Sequence, residues 1–394
     1  MESSGLTALA HGLSAFTVFR GLLAEPGMAA LRQFLLSGDL NDRLDSYGRF
    51  VAALAGDEYC LDAYLRRLVF SDENAVVVHF ARTGTVAPAA AANARAELSI
   101  LSTLSALTTE DLWAGIEYSG YLPRYETHGA DFREEYNQRL LYLGRYGYGI
   151  FSTAAMFRID GTEIVPVESA DEITLDRFVG YEAERQKVLQ NTIALLEGRP
   201  AANVLLCGDA GTGKSSTVKA CVNELSRRGL RLIELRKDQL YQLPMVLGRI
   251  RGNPLKFILF IDDLSFNQND DCFSMLKAAL EGSASAKAPN AVIYATSNRR
   301  HIVKERFSER ETGDDIHRND TLQELLSLSE RFGLTVYFER PNKPLYLDIV
   351  HRLAERCGID MDQTDLDREA EAFALRRGSR SARAAEQFIN SMRT

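Results

Sequence analysis

The run Gly208-Asp209-Ala210-Gly211-Thr212-Gly213-Lys214-Ser215 constrains this chain more than any other feature. It fits the pattern GxxxxGK(S/T), which needs a strand before it and a helix after it. Both are present: the apolar segment Asn203-Val204-Leu205-Leu206-Cys207 precedes it, and Ser216 to Leu225 reads as a helix. Glycines let the backbone curl so that successive N–H groups point at phosphate oxygens. The positive end of the following helix adds to that field. Lys214 supplies a full charge for β- and γ-phosphates, and the Ser215 hydroxyl is a hard oxygen ligand for Mg²⁺. The motif therefore predicts ATP and Mg²⁺ as ligands, with residues 208–215 and the neighbouring Ser216 around the phosphates.

The rest of that half of the chain has the matching rhythm. Val204–Cys207, Leu230–Leu235, Phe257–Ile261, Ala291–Thr296 and Leu334–Phe338 are short and apolar, as expected of strands buried on both faces of a parallel sheet. The intervals between them are long enough for crossover helices. A doubly wound α/β fold with a five-stranded parallel sheet is expected over residues 171–341. Residues 342–394 turn helical again, at Leu345–Cys357, Asp365–Arg377 and Ser381–Met392. The strand Phe257–Ile261 ends in Asp262-Asp263, at the sheet edge where α/β ligands bind. Asp262 is expected to hold Mg²⁺ through water, and Asp263 to orient or deprotonate the attacking water.

Residues 1–150 read as a mainly α-helical domain. Apolar residues recur at three and four spacings in Leu31, Phe34, Leu35 and in Leu61, Tyr64, Leu65, Val69. Pro88 opens an alanine-rich stretch that runs into Leu98, Leu101, Leu104 and Leu107, which reads as a helix start. Trp113, Tyr118, Tyr121, Tyr125, Phe132, Tyr136, Tyr142, Tyr146 and Tyr148 crowd the end of this half. Helix packing explains them better than base stacking, because basic residues are not densely interleaved. Residues 151–170 hold a hairpin, Ala154–Ile159 and Thr162–Val167 around Asp160-Gly161, and a polar linker, Glu168–Glu172.

Charge divides along the same line. The 394 residues carry a net −8, but residues 1–186 hold 15 arginines, no lysine and 26 acids, near −11. The remainder is near +3, so any nucleic-acid contact would come from there. Arg299–Arg306 is locally basic, but Glu309, Glu311, Asp314 and Asp315 offset it, which favours a mobile polar loop over Ser308–Asp320. Cys60, Cys207, Cys221, Cys272 and Cys357 form no CxxC, so neither a disulfide framework nor a zinc site is expected. No apolar run reaches the roughly 18 residues of a membrane span, and Met1–Gly5 lacks the basic start of a signal peptide. A cytoplasmic protein with no membrane contact is expected.

The two phosphate-site motifs, with what surrounds them, resemble the AAA+ ATPases. Ala295-Thr296-Ser297-Asn298-Arg299 resembles the sensor 1 segment, which makes Asn298 the polar contact to the γ-phosphate or its water. Ser329-Glu330-Arg331-Phe332-Gly333 lies where that superfamily carries its arginine finger, which implies Arg331. Gly378-Ser379-Arg380-Ser381-Ala382-Arg383 looks like sensor 2, with Arg380 the first choice and Arg383 the second. Phe178-Val179-Gly180-Tyr181-Glu182 resembles the box that lines the adenine pocket, through Gly180. Asp262-Asp263-Leu264-Ser265-Phe266 and the run from Tyr294 to His301 are similar to an uncharacterised bacterial family with an AAA+ core. The resemblance is specific over about residues 170–394 and looser before that. It implies a homo-oligomer, commonly a hexamer, and a helical lid in the last 50 or so residues.

One residue departs from the superfamily pattern. Many of its members have glutamate where this chain has the shorter Asp263. Slow hydrolysis, or hydrolysis that needs a partner to place the water, is the expected consequence. Two functions fit: an ATPase that remodels or loads an unknown protein or nucleoprotein client, and a nucleotide-dependent switch with little turnover. A DNA-acting initiator or helicase fits less well, because Thr394 follows directly on the last helix.

Overall fold

The computed structural model describes residues 3–114, 116–167, 173–264, 276, 279–280, 288–298, 330–378 and 380–393. The linker Glu168–Glu172, Ser265-Phe266, Cys272, the basic run Arg299–Arg306, the loop Ser308–Asp320, Ser329 and Ser379 lie outside the described residues. The chain divides into two units, Met1–Thr153 and Ala154–Thr394.

The first unit is helical, and three of its helices lie where the apolar spacing and Pro88 predict them, while Ser3–Ser14 and Leu40–Ala53 are not singled out by either. Leu31, Phe34 and Leu35 lie buried on the helix Pro26–Leu36, and Leu61, Tyr64, Leu65 and Val69 on Leu61–Ser71. Pro88 is the first residue of the helix Pro88–Ser105, where its missing N–H costs nothing. That helix buries Leu98, Leu101 and Leu104, together with Glu97. A buried carboxylate needs donors, and Glu97 has them in the Thr17 amide at 2.7 Å, the Thr17 hydroxyl at 2.8 Å and the Phe19 amide at 2.8 Å. Of the late aromatics, Trp113, Tyr125, Phe132, Tyr136 and Tyr148 are buried. The Trp113 ring sits 5.4 Å from both Phe34 and Tyr47, a spacing at which ring quadrupoles attract. Tyr118, Tyr121 and Tyr142 are exposed.

The second unit is built on one sheet of seven strands. They are β1 (Met156–Asp160), β2 (Glu163–Pro166), β3 (Val204–Gly208), β4 (Leu230–Leu235), β5 (Lys256–Ile261), β6 (Ala291–Ser297) and β7 (Leu334–Phe338), in the order β2-β1-β4-β5-β6-β3-β7. The expected sheet of five strands is therefore too small. The hairpin does not stand apart: β1 pairs in parallel with β4, Phe157 opposite Ile233, and β2 closes the edge antiparallel to β1. An apolar edge at β4 would leave a row of unpaired backbone groups, and Met156, Phe157 and Ile159 give β1 a buried side to set against it.

Period-two alternation fills both faces of the sheet. Leu206, Leu232, Ile258, Phe260, Val292 and Val336 pack with Val188, Leu195, Val218, Cys221 and Leu225, from the helices Glu182–Leu196 and Lys214–Leu225. The alternate residues Leu205, Ile233, Leu259, Ile261 and Ile293 are buried as well. The last three helices, Lys343–Cys357, Gln363–Arg376 and Ala382–Ser391, have their own core around Tyr346, Ile349, Ala370, Ala385 and Phe388. Val179 packs on that core, and the neighbouring Tyr181 packs in the sheet core with its ring centroid 5.4 Å from that of Phe338. The two cores thus share the segment 178–182.

Candidate functional site

Strand β3 delivers its loop to the carboxyl edge of the sheet. In register, Cys207 faces Ser297 on β6 and Gly208 faces Phe338 on β7, so the three strands end together. Gly208 has φ 149°, and a Cβ there would lie 2.0 Å from the Phe338 carbonyl oxygen. Only glycine fits where β3 passes β7 so closely. Gly213, at φ 87°, caps the helix Lys214–Leu225 and turns the loop into it. Asp209, Ala210, Gly211 and Thr212 form the bend between, and the Thr212 hydroxyl donates to the Asp209 carbonyl at 2.9 Å.

Lys214 is 5% exposed and folds back into this bend. Its Nζ donates to the carbonyls of Gly208 and Asp209, both at 2.8 Å, and to Asn298 Oδ1 at 2.9 Å. Burial lowers its pKa, opposed by the charge of Asp262 and, further, by Cys207 and Asp263. A cation kept under that desolvation cost is ready for an anion.

The acid pair and Asn298 meet Lys214 from the neighbouring strands. Strand β6 lies between β3 and β5, so Asn298, just past β6, stands between the loop and the acids at the end of β5. Asn298 Nδ2 donates to Asp263 Oδ1 at 2.7 Å. One side chain thus links Lys214 to Asp263. On the other side the Ser215 hydroxyl donates to Asp262 Oδ1 at 2.6 Å. Two hard oxygens in contact, a hydroxyl and a carboxylate at the open edge of a sheet, suit Mg²⁺. Ser216 follows on the helix, half-buried.

Thr296 is a site residue that the reading of the sequence left without a role. Its side chain is 2% exposed. Its hydroxyl donates to Asp262 Oδ1 at 2.6 Å and accepts the Asp263 amide at 2.9 Å. Asp263 has φ 51°, a left-handed turn that aspartate tolerates better than most residues. Thr296 therefore fixes both acids at the point where the strand breaks. The available signal was a polar β-branched residue inside an apolar strand.

The helical end of the chain reaches the loop through residues other than the first expected. The Arg383 amide donates to the Gly211 carbonyl at 3.3 Å, and a Cβ on Gly211 would lie 3.2 Å from Arg383 Cβ and 3.4 Å from Ser381 Oγ. Ser381 caps the helix Ala382–Ser391 by accepting the Ala384 amide at 3.1 Å. Arg380, two residues before that helix, makes a two-pronged pair with Glu371 at 2.9 and 2.7 Å. Gly180, at φ 75°, lies against the helix Lys343–Cys357, where a Cβ would come 3.1 Å from Ile349 Cδ1. Tyr181 donates its hydroxyl to the Glu339 carbonyl at 2.5 Å.

Arg331 lies elsewhere. It is half-buried and comes three residues before β7 begins. Because β7 and β3 run in parallel with Val204 opposite Leu334, Arg331 stands at the amino edge of the sheet. The phosphate loop stands at the carboxyl edge, about 16 Å away along a five-residue strand.

Strand order, loop and acid pair define an α/β core with a mostly parallel sheet and a P-loop at its carboxyl edge. The chain belongs to the family described as Protein of unknown function (DUF815), which matches residues 152–394. Among proteins with curated descriptions, none matches the chain. Of solved structures, the Thermotoga maritima RuvB Holliday junction branch migration motor is similar at 14% identity, over 55% of this chain and 71% of that one, with a TM-score of 0.32. Two variants of that protein match over the same shares, at 14% and 16% identity, with TM-scores of 0.34 and 0.32. No helix among the described residues is long and apolar enough to cross a membrane.

Proposed function

We propose that this protein is an AAA+ ATPase that binds ATP with Mg²⁺ and uses its hydrolysis to remodel or load a protein or nucleoprotein partner. The observation that carries the reading is the chain of contacts Lys214–Asn298–Asp263 beside Ser215–Asp262. A cation, a polar relay, a carboxylate and a metal-suited oxygen pair stand at one sheet edge. Phosphoryl transfer needs positioning and charge stabilisation, and these groups supply both.

Residues 208–213 present amides to the phosphates, and Lys214 exchanges its carbonyl partners for phosphate oxygens. Ser215 and Asp262 would hold Mg²⁺, which supplies charge neutralisation between the phosphates. Asp263 accepts a proton from the attacking water, and Asn298 orients that water from the γ-phosphate side. Arg383 sits on the loop at Gly211 and senses the nucleotide there; Arg380, held by Glu371, braces the lid. Gly180 lets the segment 178–182 pack directly against the helix Lys343–Cys357, and that segment would line the adenine pocket.

Arg331 completes a neighbour's site. Its place at the opposite sheet edge puts its own phosphates out of reach, which supports service in trans and hence a homo-oligomer. An arginine supplied this way is worth about 10³–10⁵ in rate.

A switch with little turnover is the second reading, favoured by Asp263. Its carboxylate is one methylene shorter than glutamate and is already engaged by Asn298. Steady-state ATPase rate against protein concentration decides between the two, for wild type, Lys214→Ala, Asp263→Asn and Arg331→Ala. The ATPase reading expects a rate that rises with assembly and collapses in all three variants. Tight ATP binding with no turnover, alone or with cell extract, would sink it in favour of the switch. Normal turnover in Arg331→Ala would remove the finger. Trapping with Asp263→Asn and ATP then identifies the partner that co-purifies.

A further inference from the structure

Far from the phosphate loop in sequence, the first unit gathers three metal-ligating side chains. Among the described residues, Cys60, Asp62 and His128 form one group whose donor atoms all lie within 4.8 Å of one another. Cys60 Sγ is 3.2 Å from Asp62 Oδ1 and 4.0 Å from His128 Nδ1, and that nitrogen is 3.5 Å from Asp62 Oδ1. We propose that these three residues bind a borderline transition-metal ion of the Zn²⁺ class, with a remaining coordination position open to solvent.

Distances support this first. A single point about 2.1 Å from all three donor atoms satisfies the three separations, against usual Zn–N and Zn–O lengths of about 2.0–2.2 Å and Zn–S of about 2.3 Å. An ion needs shifts of only tenths of an ångström to sit there. The donor set supports it next: a sulfur, an imidazole and a carboxylate suit Zn²⁺ or Co²⁺ and not Mg²⁺ or Ca²⁺.

The surroundings are built to hold the donors still. Asp62 is 5% exposed; its Oδ2 pairs with Arg66, and its Oδ1, turned to the cluster, accepts the His128 amide at 2.9 Å. Outer contacts of this kind orient a ligating carboxylate. The two segments are tied backbone to backbone, Leu61 amide to Glu126 carbonyl at 2.9 Å and Glu126 amide to Tyr59 carbonyl at 2.8 Å. Glu58 and Tyr59, just before Cys60, both have φ 56°. Two consecutive left-handed residues other than glycine store strain, and such strain is kept where the surroundings enforce it. The result is that Cys60 points at Asp62.

A nucleophilic triad is the competing use of these residue types. The geometry argues against it. A triad needs the imidazole to bridge thiol and carboxylate through its two nitrogens. Here both meet the same Nδ1. The His128 side chain is 75% exposed, which leaves the open position facing solvent.

The test is Co²⁺ titration of the untagged full-length chain, followed by its visible and near-ultraviolet absorption. One Co²⁺ per chain, with a thiolate-to-cobalt charge-transfer band that Zn²⁺ displaces, is the expected result. Cys60→Ser, which keeps a donor to Asp62, should abolish the band. His128→Ala, at an exposed position and keeping the backbone bond to Asp62, should weaken binding at least about tenfold with the thermal midpoint of the metal-free chain unchanged. Cobalt at Ser215 and Asp262 gives no thiolate band, so ATP-site binding is not confused with this one. A band that survives Cys60→Ser, affinity unchanged in His128→Ala, or no band at micromolar Co²⁺ would each overturn the proposal. None of these outcomes bears on the ATPase reading.

Discussion

Thr296→Val removes one oxygen atom and leaves the rest of the site in place. The Thr296 hydroxyl donates to Asp262 Oδ1 at 2.6 Å and accepts the Asp263 amide at 2.9 Å. A hydrogen bond to a charged group contributes about 1.5–3 kcal/mol, which corresponds to roughly 10- to 150-fold. Two contacts limit the loss: Ser215 Oγ still donates to the same carboxylate oxygen at 2.6 Å, and the Asp263 amide still reaches it at 3.2 Å. The lower end, about tenfold, is therefore the expected effect. It should fall on the metal. In a titration of Mg²⁺ at saturating ATP, half-maximal turnover should need about ten times more Mg²⁺ than in wild type. Binding of a fluorescent ATP analogue in EDTA should be unchanged, because Lys214 and the loop amides do not depend on Thr296. A Mg²⁺ midpoint within twofold of wild type would refute a positioning role. An equal loss of metal-free nucleotide binding would refute the separation of the two halves of the site.

Other outcomes follow from the same contacts. Gly211→Ala places a Cβ 3.2 Å from Arg383 Cβ at φ 78°, so ATP affinity by isothermal titration should fall at least about tenfold, from left-handed strain of roughly 1–2 kcal/mol plus displacement of the last helix. Arg383→Ala keeps the backbone bond to Gly211 and removes only the guanidinium beside the loop, so it should lower turnover by about tenfold or more with the thermal midpoint unchanged, while Arg380→Ala, which leaves Glu371 only Lys343 at 3.7 Å, should lower the thermal midpoint with turnover within about threefold; the reverse pattern would return the sensor role to Arg380. Lys214 is depressed by burial, so the unfolded chain binds its proton more tightly and nucleotide-free stability should rise with pH, from the depressed value up to about 10.4. In Lys214→Met that rise should flatten; urea unfolding at a series of pH values reads it, and an unchanged slope would show that Lys214 does not cause it.

Much of the fold was legible from neighbours in sequence. Turn chemistry at Asp160-Gly161, the proline at the start of Pro88–Ser105 and apolar spacing in Leu61–Ser71 act over a few residues, so local pattern reports them. The aromatic run was harder. Spacing alone did not separate Trp113 and Phe132, which are buried, from Tyr121 and Tyr142, which are exposed. Each of those fates depends on helices far away in the chain.

The sequence by itself determined the strand–loop–helix at 204–225, because its strand, glycines, lysine and helix are contiguous and their geometry is local. It also determined the strands that end in Asp262-Asp263 and Asn298, since each carries its acid or amide on its own last residues. Only the tertiary structure decided what meets what. Strand order placed β6 between β3 and β5, and so joined Lys214 to Asp263 through Asn298. It joined the hairpin to the sheet, brought Thr296 to both acids, and set Arg383 on Gly211 while Glu371 took Arg380. Cys60 and His128, 68 residues apart and in no spacing that signals a metal, were brought together in the same way. Long-range pairing depends on which buried faces and edges complete one another, and that information is spread over the whole chain.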